Sequence, residues 1–266
     1  MHLIRKYFLK ICDFFISKIP YRLALGLEWR IQKVLGKGIG SGSLTDEIRS
    51  IKMFSDKLKL ENPILFDVGA NLGQYAQEFF SQIPNAQVHS FEPSKNSFSA
   101  LLSKSALGKN WSAYNFGFGA TKSEMKLYFD TPGSASSTLI SKAVTEQTIN
   151  FEYVSILKLD DFLDLNSRII PDILKLDIEG FELSCLEGAV SHLNSIKIIQ
   201  FEFGQINVDA RIFFKDYWNF FNFHNFAIFR VSHKSPIPII KYSEDLETFS
   251  VTNYLAINNR FVKNDH

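Results

Sequence analysis

The stretch Ile64-Leu-Phe-Asp-Val-Gly-Ala-Asn-Leu-Gly73 constrains this chain more than any other, because it reads as a buried strand entering a glycine-rich turn that opens a helix. Ile64, Leu65, Phe66 and Val68 make the near-continuous apolar run of a strand covered on both faces. Gly69 and Gly73 remove side chains where backbone must pass close to a ligand. Asn71 stands where a dinucleotide fingerprint carries its middle glycine, and asparagine is among the few residues that reach positive φ at low cost. Strand, turn and helix in this order are the architecture of a nucleotide-cofactor site.

Gln87-Val-His-Ser-Phe91 reads as the next strand and ends at Glu92-Pro93. An acid about 20 to 25 positions after the first glycine turn, at the end of the adjacent strand, is placed to accept hydrogen bonds from two ribose hydroxyls. Pro171-Asp-Ile-Leu-Lys-Leu-Asp177 is a further apolar strand, followed by Ile178-Glu-Gly-Phe-Glu182 and an amphipathic helix through Leu183, Leu186, Ala189, Val190 and Leu193. Asp177 and Glu179 therefore stand at the carboxyl edge of a central strand, where open α/β sheets bind ligands.

In these residues the chain resembles the FkbM family of S-adenosylmethionine-dependent methyltransferases. Phe66-Asp-Val-Gly-Ala-Asn-Leu-Gly73, Phe91-Glu-Pro93, Lys175-Leu-Asp-Ile-Glu-Gly-Phe-Glu182 and Phe201-Glu202 carry the resemblance, in that order, across residues 62–204. It implies an α/β fold of the Rossmann-like class I methyltransferase type: a mostly parallel seven-stranded sheet, helices on both faces and an antiparallel C-terminal hairpin. It also implies S-adenosylmethionine as cofactor and O-methylation of a hydroxyl on a sugar, glycan or small metabolite. On that reading the cofactor is held by Asp67, Gly69, Ala70, Asn71, Gly73, Glu92, Pro93, Asn115 and Gly117, with Asp67 orienting the glycine turn and Asn115 and Gly117 on the adenine side. A hydroxyl acceptor must lose its proton as the bond forms. Asp177 is the first candidate for that neighbourhood, Glu179 the second, and Glu202 a residue lining the acceptor site. The Asp177-x-Glu179 pair alone is too small a ligand set to commit to a metal.

Composition narrows the partners. Lys and Arg number 29 against 28 Asp and Glu, so no global field favours nucleic acid. The strand end that carries Asn-Pro-Pro-Tyr in amino-methylating nucleic-acid enzymes here carries Asp177-Ile-Glu-Gly180. Cys12 and Cys185 form no Cys-x-x-Cys pair, which suits a reducing cytoplasm, and the six histidines show no metal-ligand spacing.

The chain divides at residue 43 into a leading segment and a methyltransferase domain, 44–266. Residues 1–20 place Ile4, Phe8, Ile11, Phe15 and Ile19 on one helical face with cations opposite, and Pro20 ends the pattern. This segment either lies on an anionic membrane surface or packs on protein. Lys37-Gly-Ile-Gly-Ser-Gly-Ser43 reads as a link before a helix capped by Thr45 or Ser43. The Ser/Thr-rich stretch from Asp130 to Asn150 reads as a lid, with Ser136, Ser137 and Thr138 offering hydroxyls to the acceptor. Phe226–Val231 and Ser250–Asn258 supply the hairpin. Phe213 to Phe226 form an aromatic cluster, mainly core with a minority facing outward.

Two rival readings share parts of this pattern. A nicotinamide-dependent oxidoreductase shares the ribose acid and glycine turn but would need a third glycine and a Tyr-x-x-x-Lys pair, which are missing. A non-catalytic protein of polysaccharide assembly would share the fold.

Overall fold

The computed structural model describes residues 18–38, 44–129, 137–140 and 150–262. The expected helix over residues 1–17, the link at 39–43 and most of the stretch from 130 to 149 lie outside the described residues.

The main sheet is built from β1 (Ile64–Val68), β2 (Gln87–Phe91), β3 (Trp111–Tyr114), β7 (Ile173–Leu176), β8 (Ile198–Phe203), β9 (Phe226–Arg230), β10 (Ile237–Ile239) and β11 (Thr252–Asn258). Their order is β10-β9-β11-β8-β7-β1-β2-β3, with the five strands from β8 to β3 parallel and β11, β9 and β10 joined antiparallel. The expected parallel core and antiparallel closure are present, but the sheet has eight strands rather than seven. The extra strand, β10, is three residues with Pro238 at its centre on the open edge, where a missing N–H costs no ladder bond.

β3 ends at Tyr114, before Asn115-Phe116. Beyond these two residues, β4 (Gly117–Gly119), β5 (Ser123–Phe129) and β6 (Asn150–Lys158) form a separate sheet in the order β4-β6-β5.

Helices cover both faces. On one face α2 (Leu44–Lys57) and α3 (Gln74–Gln82) bury Ile48, Ile51, Phe54, Tyr75 and Phe79 against Leu65, Val88, Ile173 and Ile198. Thr45 lies inside α2 rather than capping it, and its hydroxyl donates to Glu78. On the opposite face α5 (Leu159–Leu165), α6 (Glu182–Glu187) and α8 (Phe214–Phe223) pack Phe162, Cys185, Leu186, Tyr217 and Phe221 against Phe66, Val68, Leu174 and Phe201. Phe213 and Phe223 are the outward members of the aromatic run. The remaining helices are α1 (Tyr21–Val34), which the sequence pattern did not set apart, α4 (Lys95–Ser105) and the single turn α7 (Ile206–Ala210).

Because strand residues alternate between faces, Asp67, Lys175, Asp177, Gln200 and Glu202 all project to the α2–α3 side. Register sets Asp67 opposite Lys175 and Lys175 opposite Gln200, a polar row across three adjacent strands.

Candidate active site

The site begins with the turn after β1. Gly69 takes φ 78°, and a Cβ there would stand 1.9 Å from the carbonyl oxygen of Asp177, so only glycine lets the ends of β1 and β7 come this close. Asn71 follows at φ 45°. Its backbone N–H donates to Glu92 Oε2 at 2.8 Å, while the N–H of Ser94 donates to Glu92 Oε1 at 2.8 Å. The carboxylate at the end of β2 thus fixes two loops and keeps a lone pair on each oxygen for a further donor. Burial raises the Glu92 carboxyl to about 7, against the two backbone bonds that favour its ionised form.

Below this turn lies the buried ammonium of Lys175. It meets Asp67 Oδ1 at 3.1 Å and Asp177 Oδ2 at 3.4 Å, and donates to the carbonyl oxygen of Gly69 at 3.1 Å. Burial opposes its charge, but the two carboxylates prevail and hold the group above its ordinary value. The ring of Tyr75 lies beside it, 5.1 Å from Nζ to the ring centre. Further along the row, Tyr75 donates its hydroxyl to Gln200 Oε1 at 2.6 Å, and Gln200 Nε2 donates to Glu47 Oε2 at 2.7 Å. Asn253 Nδ2 completes the set by donating to Glu47 Oε1 at 3.1 Å.

The turn after β7 is shaped by Glu182. Its Oε1 accepts the N–H groups of Ile178 at 2.9 Å and Gly180 at 3.3 Å, and its Oε2 accepts the Tyr217 hydroxyl at 3.3 Å. This anchoring lets Glu179 adopt φ 51°. Burial, then Asp177 and Glu182, raise Glu179 to about 7. Glu202 is driven to about 9 by burial and by the charges of Asp177 and Glu179.

A cleft of about 590 Å³, part of it open to solvent, runs between these turns and the small sheet. Gly69, Asn71, Glu92, Pro93, Gly117, Ser137, Asp177 and Glu179, all singled out in the sequence, line it, and the Asp177 side chain is 46% exposed. Val68, Ser97, Phe118, Leu127, Leu139, Ile156 and Ile178 complete its walls and were not anticipated as site residues. Gly117 is tight because a Cβ there would stand 3.0 Å from Ile156.

Other expected residues sit elsewhere. Asp67 is behind the wall and acts on the turn through Lys175. Ala70 donates its N–H to Phe91 and is part of the turn's frame. Gly73 serves packing rather than a ligand, since its missing Cβ would meet Leu101 and Trp111 at 2.8 and 2.9 Å. The Asn115 amide donates to the carbonyls of Glu92 and Pro93 at 2.9 and 3.0 Å, bracing the loop instead of reaching the cleft. Glu202 stands outside the cleft lining, within electrostatic reach of Asp177 and Glu179. The Thr138 hydroxyl donates to the carbonyl of Glu179 at 2.9 Å and is not offered to a ligand. Ser136 lies outside the described residues. Among the described residues no group of three or more His, Cys, Asp or Glu is arranged to hold a metal ion.

Comparison with known sequences decides the family: a model of the FkbM methyltransferase domain matches residues 67–228, more than half of the chain. The chain belongs to the FkbM methyltransferase family. Within this FkbM domain the match runs from the acid of β1 to β9 and so contains every wall of the cleft. The hexuronic acid methyltransferase AglP of Haloferax volcanii is 26% identical over 159 residues, covering 57% of this chain and 63% of that protein. A solved FkbM methyltransferase from Methylobacillus flagellatus KT is 16% identical with a TM-score of 0.48, covering 74% of this chain and 44% of the other. An rRNA methylase from Streptococcus thermophilus is 13% identical with a TM-score of 0.42, covering 79% and 96%. The chain thus spans less than two thirds of the first two proteins.

Proposed function

We propose that this chain is an S-adenosylmethionine-dependent methyltransferase that methylates a hydroxyl of a sugar, with hexuronic acids as the first class to test. One observation carries the cofactor assignment. Asn71 Oδ1 is buried without a hydrogen-bond partner in the wall that also presents Glu92 and the glycine turn. A buried polar atom left unpaired costs about 1 to 3 kcal/mol, so this site suits a ligand that brings donors. Ribose hydroxyls answer Glu92, and a nucleoside edge answers Asn71. The residues therefore fit the cofactor, which when bound supplies an electrophilic methyl group on sulfur.

The chain's own groups then divide the remaining work. Glu179, raised to about 7, is matched to accept the acceptor's proton near neutrality. Asp177, beside Lys175 at the cleft edge, sets the local field and orients the acceptor. Glu202, outside the cleft lining, acts on Asp177 and Glu179 through its charge interactions with them. Phe118, Leu127 and Ile156 keep the cleft apolar on the opposite side, which favours alignment of the reacting groups over hydrolysis. The sugar assignment rests on the named substrate of the Haloferax relative.

Calorimetric titration with S-adenosylmethionine, S-adenosylhomocysteine and NADH tests the cofactor. Binding of the first two without NADH is expected, whereas NADH binding alone would restore the oxidoreductase reading and no binding at all the non-catalytic one. Mass spectrometry of reactions with hexuronic acid glycosides and neutral sugars, read for one added methyl group, tests the acceptor.

A further inference from the structure

The helix α1 buries none of its residues. Seven of its large apolar side chains, from Tyr21 to Val34, are each between 45% and 77% exposed. Such an array is unusual for a water-facing helix, because exposed apolar side chains are ordinarily scattered singly. Leu23, Leu27, Ile31 and Val34 follow at i, i+4, i+8 and i+11 and so form one stripe. Arg22 and Lys33 lie off the stripe and Arg30 flanks its edge, while Trp29 also lies off it with the Lys33 ammonium 4.0 Å from its ring centre.

The end of α1 is fastened to the catalytic sheet. Arg230 Nε donates to the carbonyl of Leu35 at 2.7 Å, and Gly36 runs so close to Val231 that a Cβ would stand 1.9 Å from its carbonyl oxygen. The N–H of Gly38 donates to Thr252 Oγ1 at 3.3 Å. Arg230 pairs with Tyr254, which pairs with Phe201, and Thr252 pairs with Phe203. These contacts therefore fall at the carboxyl end of β8, the same edge of the sheet that carries the cleft. The helix leaves from the side where substrate must enter.

We propose that α1 is a docking helix for an anionic lipid bilayer, and that it presents the cleft edge of the sheet to the membrane surface. Charge complementarity selects this occupant. Residues 1–38 hold eight Lys and Arg against Asp13 and Glu28 alone, while the whole chain is nearly neutral. A cationic helix with a Trp and an aliphatic stripe has the composition that lies in a lipid headgroup region. Among the described residues no helix is long and apolar enough to cross a membrane, so the contact would be peripheral.

The experiment is flotation of the full chain with phosphatidylcholine vesicles, with and without phosphatidylglycerol. Wild-type protein should float with anionic vesicles and be released by raised salt. Leu27→Glu/Ile31→Glu should weaken binding by at least about tenfold, and Arg22→Gln/Arg30→Gln/Lys33→Gln by about fivefold per cation lost. Unchanged circular dichroism and thermal midpoint would show that both variants fold, as expected for substitutions on an exposed helix. Three results would overturn the proposal: equal flotation with neutral vesicles, full binding retained by Leu27→Glu/Ile31→Glu, or no flotation together with a wild-type dimer that this variant converts to monomer. The last would assign the stripe to a second copy of the chain.

Discussion

Lys175 and Asp67 face each other across adjacent parallel strands, and their side chains meet at 3.1 Å with both fully withdrawn from solvent. The pair carries the glycine turn, because the same ammonium also holds the carbonyl of Gly69. Lys175→Met should therefore destabilise the protein by about 3 to 5 kcal/mol, the penalty of leaving a buried charge uncompensated. Thermal or urea unfolding reads this directly. Adding Asp67→Asn to the same chain should recover part of the loss; a purely additive double variant would mean the two groups are not coupled.

On the proposed function, Glu92 should make cofactor affinity depend on pH. Its carboxyl sits at about 7 in the free protein, and ribose donors bind the ionised form better. Below that value each binding event must first expel a proton. Affinity for S-adenosylhomocysteine should then fall about tenfold per pH unit from pH 7 to 5.5 and level off above 7.5. Glu92→Gln should flatten the profile and weaken binding by about 1.5 to 3 kcal/mol per lost bond. It should also lower the melting temperature, because the N–H groups of Asn71 and Ser94 lose a strong acceptor.

Asp177→Asn should separate chemistry from binding. The side chain stays near its size, Lys175 keeps Asp67, and cofactor affinity should change less than about threefold. Turnover should fall by about 10²-fold, the scale of a lost orienting contact. Glu179→Gln should fall comparably and abolish the limb of the pH profile near 7, whereas Asp177→Asn should leave that limb in place. If Glu179→Gln retained the limb, the proton would be going elsewhere.

Stability of the cofactor-free protein should decline as pH rises. Glu47, Glu92, Glu179 and Glu182 are each raised to about 7, mainly by burial, so the folded state holds protons that the unfolded state has released from about 4.5 upward. Their contribution is complete at the acid end and is lost through pH 7, at about 1.4 kcal/mol per pH unit for each proton of difference. His89, lowered to about 4 by burial, works the other way and costs stability below 6.5. With these carboxyls and Glu202 raised against the lowered imidazoles of His89 and His224, the thermal midpoint should drop between pH 5.5 and 7.5. A rising midpoint would mean these carboxyls enter the folded state ionised.

Much of the core was legible because parallel strands announce themselves. Ile64–Val68, Gln87–Phe91 and Ile173–Leu176 are buried nearly throughout, so apolar residues dominate them and their ends point to the site. The strain at Asn71 was legible too, since few residue types accept positive φ. What stayed hidden depends on register. Glu47, Lys175, Gln200 and Asn253 come together only because three strands and a helix fix their rows, and no sequence spacing relates them. A signal was available: a lysine inside the otherwise apolar Ile173-Leu-Lys-Leu176 must be paired, since burial forbids leaving it alone. Asn115 and Thr138 misled because a polar side chain near a ligand loop can equally satisfy the loop's own carbonyls. The helix α1 was missed because its apolar stripe buries nothing in the chain itself.

The contact of α2 with β8 and β11 has a consequence for where this fold can be cut. Glu47 takes the amides of Gln200 and Asn253, yet it precedes the family match, which begins at Asp67 and stops at Ile228. A fragment trimmed to that match would lose the acceptor for Gln200 and, with β11, the strand that bridges β8 and β9. It would expose two raw sheet edges and part of an apolar face, the circumstances in which β proteins associate indiscriminately. Heredity marks the catalytic stretch, but cooperativity extends beyond it at both ends.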